Sequence, residues 1–308
     1  MKAESKQTII IPADVPSDKE SIFHANYTTI TKNSSRFFMF ACDQKMEHLN
    51  KDFYGEKIHP DALHIEHIFK IAQAGYIGAL ATNVGLIERY AKQYPTIPYI
   101  AKLNGKTDLI KSVQKDPYSK QLWTVDQAVA LKKEHSVLLC GIGYTLFLGS
   151  EYEPEMLNEA AQVINDAHRN GLVTILWVYA RGKSIKDDQD PELIAGAAGV
   201  AATLGADFVK LKAPHESEEK TSAQWLNIAT QAAGNTKIIC AGGSRKNPEA
   251  LLTEIYSQLH QGNTAGSAIG RNIFQYSLTD AIAITKALNA LIYENKTVQE
   301  SLKIIESA

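Results

Sequence analysis

Lys210 and Lys212 stand two residues apart in the stretch Gly205-Ala206-Asp207-Phe208-Val209-Lys210-Leu211-Lys212. If this β-branched and apolar stretch is a strand, its side-chain period of two sends both ammonium groups to one face. On the inward face of a buried strand, desolvation and like-charge repulsion both favour the neutral amine. A neutral amine is what a lysine needs in order to attack a carbonyl and form an imine. The alternative is a strand that frays into solvent with both lysines at the surface, and the stretch alone does not choose between the two.

Other residues could serve such chemistry. Trp177, Tyr179 and Arg181 alternate along Leu176-Trp177-Val178-Tyr179-Ala180-Arg181-Gly182 and share a face if a strand persists that far. Large aromatic residues of this kind mostly fill cores, but a phenol beside a lysine can give and take a proton. Asp43 follows an apolar run, either as a carboxylate at a strand end or as the cap of a turn. Lys102 and Asn104 put two polar groups on one face at the end of another run. Two further runs end in Ala241-Gly242-Gly243-Ser244-Arg245 and in Ile269-Gly270-Arg271-Asn272. Glycine lets backbone N–H groups and a helix start close around a phosphate, and Arg271 can add a charge-assisted bond. A phosphorylated ligand is therefore expected. His59, His64 and His67, with Glu66 among them, read as residues in or near a solvated helix and not as a metal site. No Ser-His-Asp or Cys-His arrangement stands out.

These residues need a scaffold that gathers strand ends. Eight short apolar runs recur: Phe37 to Cys42, Tyr76 to Ala81, Ile97 to Leu103, Val137 to Ile142, Leu172 to Val178, Asp207 to Leu211, Thr236 to Ala241 and Gly266 to Ile269. Continuous apolar runs suit strands buried on both faces, as in a parallel sheet. Helical segments separate most of them, opening at Pro60, Pro154, Pro191 and Pro248, with Gly75, Gly171 and Gly205 past the ends of the first three. The pattern predicts an α/β fold, a (β/α)8 TIM barrel over residues 36–275, slightly longer than the ~250 residues typical of the class. A doubly wound open sheet is the alternative, and the lack of a glycine-rich dinucleotide turn after the first run weighs against it. Residues 1–35 read as an N-terminal extension packed outside or beneath the barrel, and residues 276–308 as C-terminal helices of the same domain. The long connection from Asn104 to Glu134 reads as a loop over the barrel mouth.

The chain has 308 residues, 44% hydrophobic and 21% charged, with a formal net charge of −2. That balance gives no case for a nucleic-acid partner. No run reaches membrane-spanning length, and the first residues lack the apolar core of a signal peptide. Cys42, Cys140 and Cys240 are far apart within apolar runs and read as reduced core residues of a cytoplasmic protein.

Taken together, the chain resembles the archaeal-type class I fructose-bisphosphate aldolases (the DhnA/FbaB group) from about Phe37 to Gln275. The likeness rests on Phe40-Ala41-Cys42-Asp43 with Met46-Glu47-His48, on Lys102-Leu103-Asn104, and on Gly143-Tyr144-Thr145 with Gly149-Ser150-Glu151. It continues through Leu176 to Gly182 and Gly205 to Lys210, and closes with Ala241-Gly242-Gly243 and Ile269 to Gln275. The resemblance implies a (β/α)8 barrel that forms an imine with a ketose phosphate and uses no metal or other cofactor. It implies Lys210 as the imine-forming residue, Tyr179 as the proton-moving residue, Trp177 as the pocket wall and Asp43 as the strand-one carboxylate. It also implies phosphate binding at Gly242-Gly243 and Gly270-Arg271, and a homo-oligomer. Arg181 is then expected to steady Asp43 or a neighbouring carboxylate, Lys102 to contact substrate, and Lys212 to lower the pKa of Lys210. Relatives with other phosphorylated ketoses as substrates, a non-catalytic phosphosugar-binding barrel and a flavin-binding barrel remain the competing readings.

Overall fold

Strands that are apolar on both faces must be covered on both faces, and this chain does so by closing its sheet on itself. The computed structural model describes residues 9–47, 52–109 and 116–308. The strands are β1 (Phe37–Ala41), β2 (Ala79–Asn83), β3 (Tyr99–Lys102), β4 (Leu139–Leu148), β5 (Val173–Ala180), β6 (Phe208–Leu211), β7 (Lys237–Ala241) and β8 (Gly266–Ile269). Each runs parallel to its neighbours in chain order, and β8 pairs with β1 to complete the barrel. Inside lie Phe37, Met39, Ile100, Val173, Ile175, Phe208 and Ile239. The residues between them, such as Phe38, Phe40, Leu80, Leu176 and Val209, face the surrounding helices.

Capping explains most helix boundaries. Asp190 accepts hydrogen bonds from the Glu192 and Leu193 amides and starts Pro191–Thr203. Asn247 does the same for Pro248–His260 through the Ala250 amide. Two strands differ from expectation. β2 starts at Ala79 because Gly75, at φ +81°, turns the chain before it. β4 runs on to Leu148, paired with β5 as far as Ala180. Its glycines sit within the strand and do not end it: a Cβ at Gly141 would lie 2.4 Å from the Val173 carbonyl oxygen. His67 corrects a third expectation. It is buried, not solvated, with Nε2 3.1 Å from the carbonyl oxygens of both Phe274 and Tyr276. Its role is to tie the helix Glu66–Gln73 to the chain after β8.

The N-terminal helix Glu20–Thr31 covers the end of the barrel opposite the strand C-termini. Tyr27 stacks on Phe208 with ring centroids 5.4 Å apart, and Phe208 packs edge-on to Phe37 at 5.1 Å. An ion cluster around the buried His168 fastens the segment before this helix. His168 Nδ1 lies 2.9 Å from both carboxylate oxygens of Asp14, and its Nε2 lies 3.1 Å from Asp207 Oδ2. The Thr174 amide and hydroxyl also donate to Asp207. Both ring nitrogens face a carboxylate, an arrangement that favours the doubly protonated imidazolium. Burial pulls its pKa down, but Asp207 and Asp14 outweigh this and hold it above the ordinary histidine value.

A raised folded-state pKa gives stability that is complete below the unfolded value near 6.5 and lost as pH rises through the folded value. His168→Gln should therefore destabilise the protein by roughly 3 kcal/mol at pH 6, as removal of one buried ion-pair partner does. The deficit should shrink at pH 9, which thermal unfolding at the two pH values will measure. An equal deficit at both would mean that the ring is neutral in the native state.

Candidate active site

The inward positions at the C-terminal ends of the strands bring together residues far apart in the chain. Register aligns Lys102 of β3 with Gly143 of β4, Thr145 of β4 with Trp177 of β5, and Trp177 with Lys210 of β6. Asp43 lies two residues past the end of β1. Lys210, Asp43, Lys102 and Trp177 are all buried, at 5%, 7%, 1% and 1% exposure. Lys102 Nζ donates to Asp43 Oδ2 at 3.1 Å. Both ammonium positions lie against the Trp177 ring, Lys102 Nζ at 4.9 Å and Lys210 Nζ at 5.4 Å from its centroid. Gly143 makes this possible, because a Cβ there would lie 2.5 Å from Trp177 Cζ3 and 3.2 Å from Lys102 Cδ.

Electrostatics follows from this packing. Burial drives the Lys210 amine toward its neutral form, the Lys102 and Arg271 charges add to the effect, and Asp43 and Glu47 oppose it; the net pKa is lowered. Burial opposes the Asp43 carboxylate, yet Lys102 and Lys210 outweigh it and hold Asp43 below the usual carboxylate range. Burial, with the charges of Asp43 and Glu47, raises the Tyr179 phenol well above its ordinary value, so its hydroxyl keeps its proton at neutral pH. One layer thus holds a neutral-leaning amine, an ionised carboxylate and a protonated phenol.

Above this layer opens a cavity of about 740 Å³, inside the roughly 300–1,000 Å³ span of small-molecule sites. Asp43, Trp177, Tyr179 and Lys210 form part of its lining. Gly242, Gly243, Gly270 and Arg271 form another part. Asn272 braces this side by donating to the carbonyls of Gly242 at 2.8 Å and Ser244 at 3.1 Å. Gly243 has φ +65°, a left-handed conformation that glycine adopts at no steric cost. Arg271 Nε donates to the Gly243 carbonyl, and its Nη1 lies 3.4 Å from Asp52 Oδ1.

Three expected contacts differ. Lys212 lies beyond the end of β6, half-buried, and is bonded to Asp188. It lines the cavity, but the cations whose charges lower the Lys210 pKa are Lys102 and Arg271. Arg181 also lines the cavity, with its guanidinium 5.6 Å from the Phe147 ring centroid, while the cation bonded to Asp43 is Lys102. Lys102 itself is not among the described residues lining the cavity. The lining also includes Gln44, Glu47, Thr145, Phe147, Gln189 and Lys246, to which sequence reasoning assigned no role. Thr145 and Phe147 become visible once β4 is extended past Gly143, since they continue its inward alternation. In the loop that follows β3, Asn104 donates to the carbonyls of Ser119 and Thr145, and Asp116 accepts from the amides of Glu151 and Lys183. This part of the loop sits beside the ends of β4 and β5; residues 110–115 and His48 fall outside the described residues.

A buried amine with a lowered pKa in a barrel mouth is suited to imine formation, and the barrel enzymes that turn imines to carbon–carbon chemistry are the lysine-dependent aldolases. The chain is one of them by descent. The model of the DeoC/LacD family aldolases matches residues 37–276, and the chain belongs to that family. It is 45% identical over 304 residues to the "Fructose-bisphosphate aldolase/6-deoxy-5-ketofructose 1-phosphate synthase" of Methanocaldococcus jannaschii, covering 99% of this chain and 96% of that protein. It is 32% identical over 280 residues to the class 1 fructose-bisphosphate aldolase of Thermoproteus tenax, covering 90% and 97%. Among solved structures, the fructose-bisphosphate aldolase of Slackia heliotrinireducens superposes with a TM-score of 0.96 at 45% identity, covering 98% and 95%. A Schiff-base-forming fructose-1,6-bisphosphate aldolase superposes with a TM-score of 0.74 at 28% identity, covering 88% and 100%.

Proposed function

We propose that this protein is a class I aldolase that reversibly cleaves fructose 1,6-bisphosphate to dihydroxyacetone phosphate and glyceraldehyde 3-phosphate. The observation that carries this reading is Lys210, a buried amine with a lowered pKa that opens onto the same cavity as the Gly242-Gly243 and Gly270-Arg271 turns. The neutral Lys210 amine attacks the ketone carbon, and loss of water gives an iminium ion. That cation accepts the electron pair of the adjacent carbon–carbon bond, which breaks to an enamine. Asp43 orients or deprotonates the hydroxyl whose oxygen becomes the aldehyde. Tyr179 serves as acid and base in imine formation and protonates the enamine carbon. Hydrolysis then releases dihydroxyacetone phosphate and restores the amine. Trp177 walls the pocket, and Arg181 and Lys212 offer positive charge to the substrate from the cavity's edge. The three cysteines are unpaired and buried, which supports a reducing, cytoplasmic setting.

Borohydride trapping with dihydroxyacetone phosphate, in the presence of a chelator, followed by peptide mass mapping, tests class and site together. The expected result is a reduced adduct on the Lys210 peptide. No adduct, or activity lost to the chelator, would point to another chemistry.

A second reading has its own support in the paired name of the Methanocaldococcus jannaschii relative, a 6-deoxy-5-ketofructose 1-phosphate synthase as well as an aldolase. The same enamine could add to a different aldehyde. Offering the protein dihydroxyacetone phosphate with a panel of aldehydes separates a single-substrate aldolase from one that serves both reactions.

A further inference from the structure

Lys102 is the more deeply buried of the two inward lysines, and it has no place on the cavity wall. Desolvating an ammonium group is costly, so its position calls for a reason. Among the described residues, this buried layer holds two amines, Lys102 and Lys210, and one carboxylate, Asp43, which also lines the cavity. Whichever lysine pairs with Asp43 is held as an ammonium. Lys102 is the one within hydrogen-bond distance, and the Trp177 face stabilises its charge from a second side. Clearance at Gly143 keeps that geometry open.

We infer that Lys102 is a positioning residue: it fixes the Asp43 carboxylate from behind and, by occupying it, leaves Lys210 free to act as an amine instead of serving as Asp43's ion-pair partner. The inference rests on the reading of Lys210 as the imine-forming residue. Electrostatics runs the same way, since beyond burial the Lys102 charge disfavours protonation of Lys210 while the Asp43 charge favours it. Without Lys102, a like charge is gone and a carboxylate is released, and both changes return a proton to Lys210.

The test is the pH dependence of borohydride trapping at Lys210 in Lys102→Met, Lys102→Gln and Lys102→Arg, with dihydroxyacetone phosphate as the probe. In the Met and Gln variants the midpoint should move to higher pH by about one unit or more. Trapping at pH 7 should then fall on the order of tenfold, in step with kcat and with little change in KM. Lys102→Arg keeps a permanent charge and should hold the midpoint near that of the wild type. A merely structural lysine would lower the melting temperature and kcat without moving the midpoint. An unshifted midpoint in either neutral variant would overturn the inference; should the Met variant not fold, the Gln variant, which can still donate to Asp43, decides. If the wild type itself gives no adduct, the aldolase reading fails first and this inference falls with it.

Discussion

Lys210→Met is expected to abolish turnover while leaving the fold as stable as before or more so. Removing a covalent nucleophile costs on the order of 10⁵–10⁶-fold in rate, because no neighbour can replace the bond it forms. Lys212 will not substitute, since it lies beyond the end of β6 and is engaged with Asp188. Lys102 will not either, because it lies behind Asp43 and off the cavity wall. The stability expectation comes from the same burial that makes the amine reactive. A lysine whose pKa is lowered in the folded state binds fewer protons there than in the unfolded chain, so its presence destabilises the fold. That penalty is complete below the lowered value and vanishes as pH rises toward the ordinary lysine value near 10.4. Methionine fills similar space without a charge, and the Asp43–Lys102 pair remains to satisfy the carboxylate. The melting temperature should therefore rise, most clearly at acid to neutral pH. A dead variant that also unfolds early would mean that Lys210 supports the structure, and the trapping experiment would have to decide its chemistry alone.

The barrel was legible in the sequence because its signals are local. Apolar runs, prolines at helix starts and glycines past helix ends each act within a few residues, and each of the eight strands overlaps such a run, with β2, β4 and β5 extending past theirs. The site was legible only where a residue's role follows from its place along a strand. Lys102 and Lys212 show the limit. Each sits at an inward position at or just past a strand end, and pattern alone gives them equal standing. Their difference is set by partners from elsewhere in the chain, Asp43 after β1 for one and Asp188 after β5 for the other. His67 was misread for the same reason, since the carbonyls that accept its burial belong to Phe274 and Tyr276. Gly143 reads in the sequence as a packing glycine, but what it makes room for, the Trp177 ring, is visible only when the fifth strand is beside the fourth.

Tyr179→Phe should separate imine formation from the steps that follow it. General acid–base groups contribute typically 10²–10⁴-fold, so cleavage should slow by about that factor while Lys210 still gives a borohydride adduct. The tyrosine is suited to donate, because burial and the nearby Asp43 and Glu47 charges keep its hydroxyl protonated across the neutral range. Its ring can be retained without the hydroxyl, since it lies with its centroid 6.4 Å from that of Phe147 and that packing does not need an oxygen. The discriminating measurement is exchange of the carbon-bound proton of dihydroxyacetone phosphate with deuterated water, which reports enamine protonation without any carbon–carbon bond cleavage. If Tyr179 delivers that proton, exchange and cleavage fall together. If cleavage falls and exchange does not, the phenol acts elsewhere in the cycle, and the proton donor must be sought among the carboxylates of Asp43 and Glu47, which line the same cavity. A pH profile then tells the two apart. Exchange begins with removal of the carbon-bound proton, so a carboxylate in that role holds exchange level through the neutral range and loses it as pH falls past its pKa, whereas a phenol with a raised pKa gains exchange as pH rises.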